Sequence, residues 1–118
     1  MSAIEIALPF PPSVNNLFAG KRRRYPTKRY QQWRTHAGWM LRQQKPRYPQ
    51  GRVDLDIELV APDRRPRDAG NYEKACTDLL VSMGVLEDDA ARCVRGVTAR
   101  WSDRPGTPGA IIRITELG

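Results

Sequence analysis

The alternation of apolar and polar residues predicts two β-strands that frame the first half of the chain. Apolar side chains occupy every second position of residues 4–8, and the three prolines that follow end this strand. Residues 53–59 alternate just as strictly and give the clearest strand pattern in the sequence. The polar positions of this second strand are Asp54, Asp56 and Glu58, which we interpret as the polar side of a half-exposed strand.

Apolar residues spaced by three and four predict two helices. Thr27 is a suitable N-cap for a helix over about 28–44, and Pro46 ends this helix. A second helix fits about 69–83, with Gly84 at its C-terminal end. The apolar stripe of the first helix comprises Tyr30, Trp33, Ala37, Met40 and Leu41, and that of the second comprises Tyr72, Cys76, Leu79, Leu80 and Met83.

The remaining segments complete a single domain over residues 1–118. Residues 13–27 are expected to form a loop, residues 93–101 a weakly patterned strand, and residues 110–117 a final strand after a turn at 102–109. The resulting order β-α-β-α-β-β predicts an α+β (mixed α/β) fold, in which helices pack on a mixed sheet. A chain of 118 residues suits one such domain and leaves little room for a second.

The charge of the chain is divided unevenly between its two halves. The 20 Lys and Arg residues exceed the 13 Asp and Glu residues and give a formal charge of +7. Residues 1–52 hold eleven basic residues against one acid, whereas residues 53–118 hold nine against twelve. Sixteen of the twenty basic residues are arginine, whose guanidinium group binds phosphate in a bidentate manner. The first half therefore favours a nucleic-acid partner over the alternative, a solvated basic face without a partner.

Composition excludes several other classes of protein. No apolar run approaches the ~18–20 residues that a membrane-spanning helix needs. The first ten residues carry an acid and no basic group, so they do not resemble a signal peptide. The two cysteines, Cys76 and Cys93, are too few for a disulfide framework or a zinc cluster, and we interpret them as small buried residues. We therefore expect a cytoplasmic protein.

Two polar segments of the second half have the composition of a reactive site. Asp68 precedes the second helix, and Asn71, Lys74 and Asp78 follow on one helical face away from the apolar stripe. A second segment, residues 87–89, contains three consecutive acids. As alternatives, Asp68 serves only as an N-cap and the three acids only as a solvated turn. Carboxylates set into a basic surface are the combination that a Mg²⁺-dependent nuclease needs, because this hard cation binds oxygen ligands and neutralises phosphate charge.

Three segments in register resemble the RusA-type Holliday junction resolvases. Residues 8–16 (LPFPPSVNN) look like the N-terminal motif of that family. Residues 64–74 (RRPRDAGNYEK) are similar to its arginine-rich signature, and residues 86–90 (LEDDA) are similar to its later acidic motif. The resemblance covers essentially the whole chain. It implies a small dimeric enzyme that cuts four-way DNA junctions symmetrically with Mg²⁺, for which Mn²⁺ can substitute.

The resemblance also implies a role for each candidate side chain. It assigns catalysis to Asp68, Lys74 and Asp89, with Lys74 near the scissile phosphate. The implied metal ligands are Asp68, Asp88 and Asp89. Contacts with branched DNA are expected from the basic residues of two arginine-rich segments and from one amide, namely Arg22, Arg23, Arg24, Lys28, Arg29, Arg64, Arg65, Arg67 and Asn71.

One position departs from the family pattern. The signature has a second aspartate two residues after the first, and Gly70 occupies that position. Asp88, Glu73 or Asp78 compensates for the missing carboxylate, or the metal is held more loosely, or the chain is impaired as a nuclease. The alternative function is therefore a non-catalytic nucleic-acid-binding module of the same fold. A ribosomal-type RNA-binding protein fits the pI near 10.0 but not the arrangement of the carboxylates.

Overall fold

The structure is a computed structural model that describes residues 3–103 and 106–118. Within these residues, two helices pack on a main sheet of four long strands, and the predicted α+β class is confirmed. The predicted turn at 102–109 includes residues 104 and 105, which lie outside the described residues. The elements are, in chain order, β1 (Ala3–Leu8), the first 3₁₀ turn (Val14–Asn16), β2 (Phe18–Ala19), β3 (Tyr25–Pro26), α1 (Lys28–Gln44), β4 (Val53–Val60), the second 3₁₀ turn (Ala69–Tyr72), α2 (Glu73–Ser82), β5 (Val94–Trp101) and β6 (Gly109–Glu116).

The four long strands lie in the order β1-β6-β4-β5. Strand β6 is antiparallel to both β1 and β4, whereas β4 and β5 are parallel and are connected through α2. Strands β1, β4 and β5 therefore run in the same direction. Their last residues lie at one end of the sheet, which we name the carboxyl end, and their first residues lie at the opposite, amino end.

The two faces of the main sheet differ in chemistry. Alternate residues of β1, β4 and β6 form one core with the helices, and Ile6, Leu55 and Ile112 are fully buried in it. The opposite face carries the three half-buried acids of β4, which confirms their interpretation as the polar side of a strand. Each acid pairs with an arginine of a neighbouring strand, in the pairs Asp54–Arg95, Asp56–Arg100 and Glu58–Arg113.

Helix α1 begins and ends where the sequence predicts. The Tyr30 amide donates to Thr27 Oγ1 at 3.2 Å, and Lys45 adopts a left-handed conformation (φ 48°) directly after the last helical residue. Trp33 is buried in the core. Its Nε1 donates to the Pro9 carbonyl at 3.0 Å, which attaches α1 to the segment that follows β1.

Two segments differ from the predicted secondary structure. The expected loop at 13–27 contains the hairpin of β2 and β3, and Gly20 between these strands adopts a left-handed conformation (φ 99°). The second helix, predicted over 69–83, begins with the second 3₁₀ turn, because the Asn71 amide donates to the Asp68 carbonyl three residues earlier, at 3.0 Å. Asp68 therefore caps this turn and not α2, which starts at Glu73.

The cysteines contribute to packing. Cys76 is buried, and burial raises the pKa of its thiol to about 12, so the thiol stays protonated and unreactive at neutral pH. Cys93 is half-buried, and neither cysteine forms a disulfide. In the part of the chain that the structure describes, neither helix has the length and apolarity that crossing a membrane requires.

Candidate functional site

Three aromatic rings cluster at the carboxyl end of the sheet. Phe10 follows β1, Tyr72 closes the second 3₁₀ turn, and Trp101 ends β5. The ring centroid of Phe10 lies 5.1 Å from that of Tyr72 and 6.3 Å from that of Trp101, and Tyr72 meets Trp101 edge-on at 5.8 Å. Such pairs add stability beyond the area they bury. The sequence gives no sign of this cluster, because its members come from three distant segments. The aromatic cluster holds the second 3₁₀ turn against the sheet.

The loop before Asp68 is held by one carboxylate. Asp63 accepts hydrogen bonds from both terminal nitrogens of Arg67, at 2.7 and 2.9 Å, and from the Arg65 backbone amide at 2.9 Å. These bonds, that from Arg67 above all, hold the pKa of Asp63 well below its ordinary value. The Arg67 guanidinium also lies 5.7 Å from the Phe10 ring centre, and its side chain is only 9% exposed. Arg67 is therefore engaged within the loop, and this role of Asp63 was not anticipated from the sequence.

A groove of about 240 Å³ joins the N-terminal motif to this loop. Thr27 Oγ1 donates to the Asn16 carbonyl at 2.6 Å, which attaches the start of α1 to the first 3₁₀ turn. The two 3₁₀ turns are also in contact. Arginines from two distant segments therefore meet in one groove, whose cationic lining suits an anion such as phosphate. Its lining residues are Phe10, Ser13, Asn16, Arg29, Pro62, Arg65, Pro66, Arg67 and Tyr72.

Asp68, Asn71 and Lys74 lie together at the carboxyl end, around the start of α2. Asp68 is exposed, and its Oδ1 accepts a hydrogen bond from the Gly70 amide at 3.3 Å. Lys74 is half-exposed and pairs with Asp78 one helical turn later, at 3.2 Å. Asn71 is exposed beside them. The structure thus brings an acid, an amide and a lysine of the RusA-like signature to one surface.

The acidic segment 87–89 lies away from Asp68. Hydrogen bonds within the segment give it more order than a turn that is only solvated. Asp88 Oδ1 accepts from the backbone amides of Asp89 at 2.7 Å and of Ala90 at 3.3 Å, and Oδ2 pairs with Arg92 at 3.4 Å. The amide of Asp89 contributes most to lowering the pKa of Asp88. Both oxygens of Asp88 are therefore used by the turn itself, whereas the exposed Asp89 carboxylate forms no ion pair with the described residues.

The acidic segment lies at the amino end of the sheet. The Val94 amide donates to the Ala90 carbonyl at 2.9 Å, and Val94 is the first residue of β5. The Val53 amide, which opens β4, donates to the Cys93 carbonyl at 2.9 Å. Asp89 therefore lies near the first residues of both strands, whereas Asp68 lies beyond their last residues.

Asp68 and Asp89 do not come together within one chain. Strand β5 spans eight residues and is about 23 Å long at a rise of about 3.3 Å per residue. The described residues contain no group of three or more His, Cys, Asp or Glu side chains that could hold a metal ion. The assignment of Asp68, Asp88 and Asp89 to one metal remains a prediction, and this structure places its members at opposite ends of the sheet.

The basic residues of the first half form almost no ion pairs in the described part of the chain. Of the eleven, Arg47 alone pairs with an acid, Glu116, at 2.7 Å. In the second half, seven of the eight basic residues that the structure describes pair with acids of the same chain. The first-half charges other than that of Arg47 are therefore available to an external anion. They include the exposed candidates Arg22, Arg23, Arg24, Lys28 and Arg29.

The acids show the reverse pattern. Nine of the thirteen form ion pairs within the chain. Two of the remaining acids are Asp68 and Asp89, which the sequence resemblance assigns to metal binding. Their carboxylate oxygens are suitable donors for a hard cation. The acids without an ion pair among the described residues are Asp68, Glu73, Asp89 and Asp103.

Comparison with known proteins defines the class of this protein. Residues 9–115 match the family model described as Endodeoxyribonuclease RusA. The chain therefore belongs to the RusA family of endodeoxyribonucleases, and the resemblance found in the sequence is confirmed.

Individual relatives are similar over nearly their whole length. The Crossover junction endodeoxyribonuclease rusA of Enterobacteria phage HK97 is 33% identical over 127 residues, which cover 99% of this chain and 98% of that protein. The Crossover junction endodeoxyribonuclease RusA of Escherichia coli (strain K12) is 32% identical over 122 residues, which cover 100% of this chain and 98% of that protein. The Crossover junction endodeoxyribonuclease RusA of Aquifex aeolicus (strain VF5) is 31% identical over 108 residues, which cover 91% of this chain and 84% of that protein.

Proposed function

We propose that this protein is a metal-dependent endonuclease that resolves four-way DNA junctions by symmetric phosphodiester hydrolysis, in DNA recombination and repair in the cytoplasm. The names of its relatives suggest the substrate. The observation that carries the proposal is the contrast in ion pairing. Cations that form no ion pair within the chain extend from the hairpin to Arg29 in the groove, and Asp68, a carboxylate without an ion pair, directly follows the lining residue Arg67.

The exposed cations of the first half hold the duplex arms through their phosphates. Arginine and lysine contacts with phosphates fix the position of a duplex without reading its sequence. Arg29 and Arg65 line the groove together with Arg67, which directly precedes Asp68, so we expect a phosphate bound there to lie near that carboxylate. Arg64 is exposed and extends the basic surface, whereas Arg67 supports the loop from within.

The free carboxylates fit a Mg²⁺ ion by their donor chemistry. Mg²⁺ takes oxygen ligands, keeps several waters, and is often held by only one or two carboxylates. Asp68 and Asp89 supply such carboxylates, and Asp88 holds the backbone that carries Asp89. When bound, the ion neutralises charge on the phosphate and lowers the pKa of an attacking water. The Lys74 ammonium, on the same surface as Asp68, offsets the charge that develops on the phosphate oxygens.

A homodimer suits this reaction. A four-way junction has two-fold symmetry, and a two-fold dimer presents one site to each of two strands. Symmetric cleavage then follows from the symmetry of the protein.

A non-catalytic DNA-binding module is the second candidate, and Gly70 favours it. This position contributes no carboxylate, so the site beside Asp68 has one acid fewer than the family signature. Both candidates bind DNA with a steep salt dependence, because bound phosphates release counterions. Only the nuclease requires the metal and the free carboxylates.

Incubation with a synthetic four-way junction separates the two candidates. We expect the wild-type protein to cut two opposite strands with Mg²⁺ and to be inactive with EDTA. Asp68→Asn and Asp89→Asn should lose cleavage at least about a hundredfold while binding the junction normally. Asp103→Asn, which changes an exposed acid without an ion pair, is the matched control and should cleave like the wild type. Binding without any cleavage by the wild type would establish the non-catalytic module.

A further inference from the structure

A second groove, of about 480 Å³, lies where the two helices end. It is lined by the buried Leu41 near the end of α1 and by Met83 directly after α2. Gly38 lets the helices come close here, because an added Cβ would meet Met83 Sδ at 3.4 Å. The ten residues of α2, about 15 Å, separate this second groove from the start of that helix, next to which Asp68 lies. The second groove is therefore separate from the surface that carries Asp68.

The second groove has a cationic rim. Arg42 and Lys45 line it, both side chains are exposed, and neither forms an ion pair with the described residues. The sequence contains no acid between Glu5 and Asp54, so α1 and the segment that follows it have no negative side chain. The side of the groove that α1 provides therefore attracts anions.

Two exposed aromatic side chains accompany these cations. Trp39 is 60% exposed and lies one helical turn before the first of them, on the same face of α1. Tyr48 lines the groove and is 53% exposed. The segment of this tyrosine is fixed to the end of β6, because Arg47 pairs with Glu116 at 2.7 Å and the Gln50 amide donates to the same carboxylate at 2.8 Å. Two rings therefore remain at the surface beside two cations.

We propose that the second groove binds single-stranded DNA, with unpaired bases stacked on Trp39 and Tyr48 and phosphates bound by Arg42 and Lys45. A duplex shields the faces of its bases, whereas every unpaired base offers a face that an aromatic ring can cover. Exposed rings beside cations are the combination that single-strand sites use, and cations alone suffice for a duplex arm. The strand is DNA, because the chain belongs to a family of endodeoxyribonucleases. This site adds an affinity for unpaired strands to the proposed action on junctions.

A second copy of the chain suits the groove less well than a DNA strand does. A two-fold interface pairs the same surface of both copies, so the cations of the two rims would face each other. Like charges that meet across an interface oppose docking. A nucleotide instead brings a flat apolar ring to the aromatic side chains and a negative charge to the cations.

Titration of the full chain with a short oligothymidylate in EDTA tests this inference independently of metal and cleavage. Among the three tryptophans, Trp33 is buried, Trp101 is half-buried and Trp39 is exposed, so stacked bases should quench the fluorescence of Trp39. Trp39→Ala and Tyr48→Ala should each weaken binding of a fluorescein-labelled strand at least about fivefold, because each removes one stacking ring. Trp39→Tyr keeps a ring and should restore most of this affinity. Changing both Arg42 and Lys45 to glutamine should reduce the salt slope by about 1.4.

The controls separate stacking from general attraction to a basic surface. Tyr25→Ala is the matched control, because it removes a tyrosine that is 55% exposed but lies outside the second groove, and it should bind the strand like the wild type. A linear duplex of the same length should bind equally to the wild type and to Trp39→Ala. An equal loss of affinity for both DNAs would refute the single-strand site, and so would unquenched fluorescence of the wild type.

The remaining outcomes distinguish this inference from the proposed function and from a protein interface. Sedimentation that shows a dimer of the wild type and a monomer of Trp39→Ala would assign the groove to a second copy and refute the inference. Wild-type protein that binds oligothymidylate through the second groove but never cuts a junction would refute the proposed function alone. Wild-type protein that cuts junctions without binding oligothymidylate would refute only the single-strand site.

Discussion

Replacing Phe10 by alanine tests whether the aromatic cluster positions Asp68. The Phe10 ring contacts Tyr72 and Trp101 and carries the Arg67 guanidinium over one face, 5.7 Å from its centre. Arg67 directly precedes Asp68 in the chain, and Tyr72 closes the turn that Asp68 caps. Loss of the ring therefore removes a support on both sides of this carboxylate.

The magnitude follows from the burial of Phe10. Truncating a fully buried phenylalanine to alanine costs about 3–5 kcal/mol, and aromatic pairs add about 0.5–1.5 kcal/mol beyond area. Because Phe10 is only half-buried, we expect the free energy of unfolding to fall by about 2–3 kcal/mol. With an unfolding entropy of about 2.1 cal/mol/K per residue, the Tm of this chain falls by about 4 °C for each kcal/mol of stability lost. We therefore expect a Tm about 8–12 °C lower.

Thermal unfolding followed by circular dichroism measures this change, with Phe10→Leu and Val14→Ala as comparisons. Phe10→Leu keeps an apolar side chain but loses the ring contacts, so we expect about half of the shift. Val14 lies nearby but is 37% exposed, and its truncation should change the free energy of unfolding by less than about 0.5 kcal/mol.

Junction cleavage well below the Tm gives the functional result. We expect folded Phe10→Ala to cut at least about tenfold more slowly, because a carboxylate displaced by about 1 Å loses much of its effect. Its affinity for the junction should change little, since the exposed cations remain. A Tm within about 2 °C of the wild type would refute the packing argument. A low Tm with an unchanged cleavage rate would refute the positioning argument.

Three further changes have simple expected outcomes. Trp33→Phe leaves the Pro9 carbonyl without its donor, so the free energy of unfolding should fall by about 1–2 kcal/mol in chemical denaturation. The hydrogen bond from Arg95 lowers the pKa of Asp54, so this pair stabilises the fold above the unfolded pKa of about 4 and loses that effect as pH falls. The Tm of Asp54→Asn should therefore decrease less than that of the wild type between pH 7 and pH 3. Changing residues 22–24 to alanine should weaken junction binding and reduce the salt slope by about 2–3 in fluorescence anisotropy titrations.

The fold was predictable wherever its pattern is local. The alternation of residues 53–59 and the N-cap at Thr27 depend on near neighbours in sequence, and the corresponding strand and helix lie where they were expected. The hairpin at residues 18–26 was not predicted, because strands of two residues have no period to detect. The 3₁₀ start of the second helix was missed for a different reason: a stripe of apolar residues does not distinguish 3₁₀ from α-helical hydrogen bonds.

The candidate site was predictable only in parts. Asp68, Asn71 and Lys74 lie within seven residues of one another, so one helix start brings them to one surface. The relation between Asp68 and Asp89 depends on the direction of β5, and a single sequence does not reveal strand direction. The supporting roles of Phe10 and Asp63 depend on contacts between distant segments. Local chemistry can thus be read from the sequence, whereas the arrangement of its parts requires the sheet topology.

Gly70→Asp tests whether the missing carboxylate limits metal binding. Gly70 is exposed and does not have a positive φ, and an added Cβ would meet only Asp68 Oδ1, at 3.8 Å. An aspartate therefore fits, and its repulsion of Asp68 is relieved when a cation binds. A further charge at about 4 Å contributes roughly 1 kcal/mol even in a water-like medium, so we expect Mn²⁺ affinity to rise at least about fivefold, with faster cleavage at limiting Mg²⁺. Gly70→Asn has nearly the same shape without the charge. If both variants bind Mn²⁺ equally in paramagnetic resonance titrations, position 70 does not face the ion.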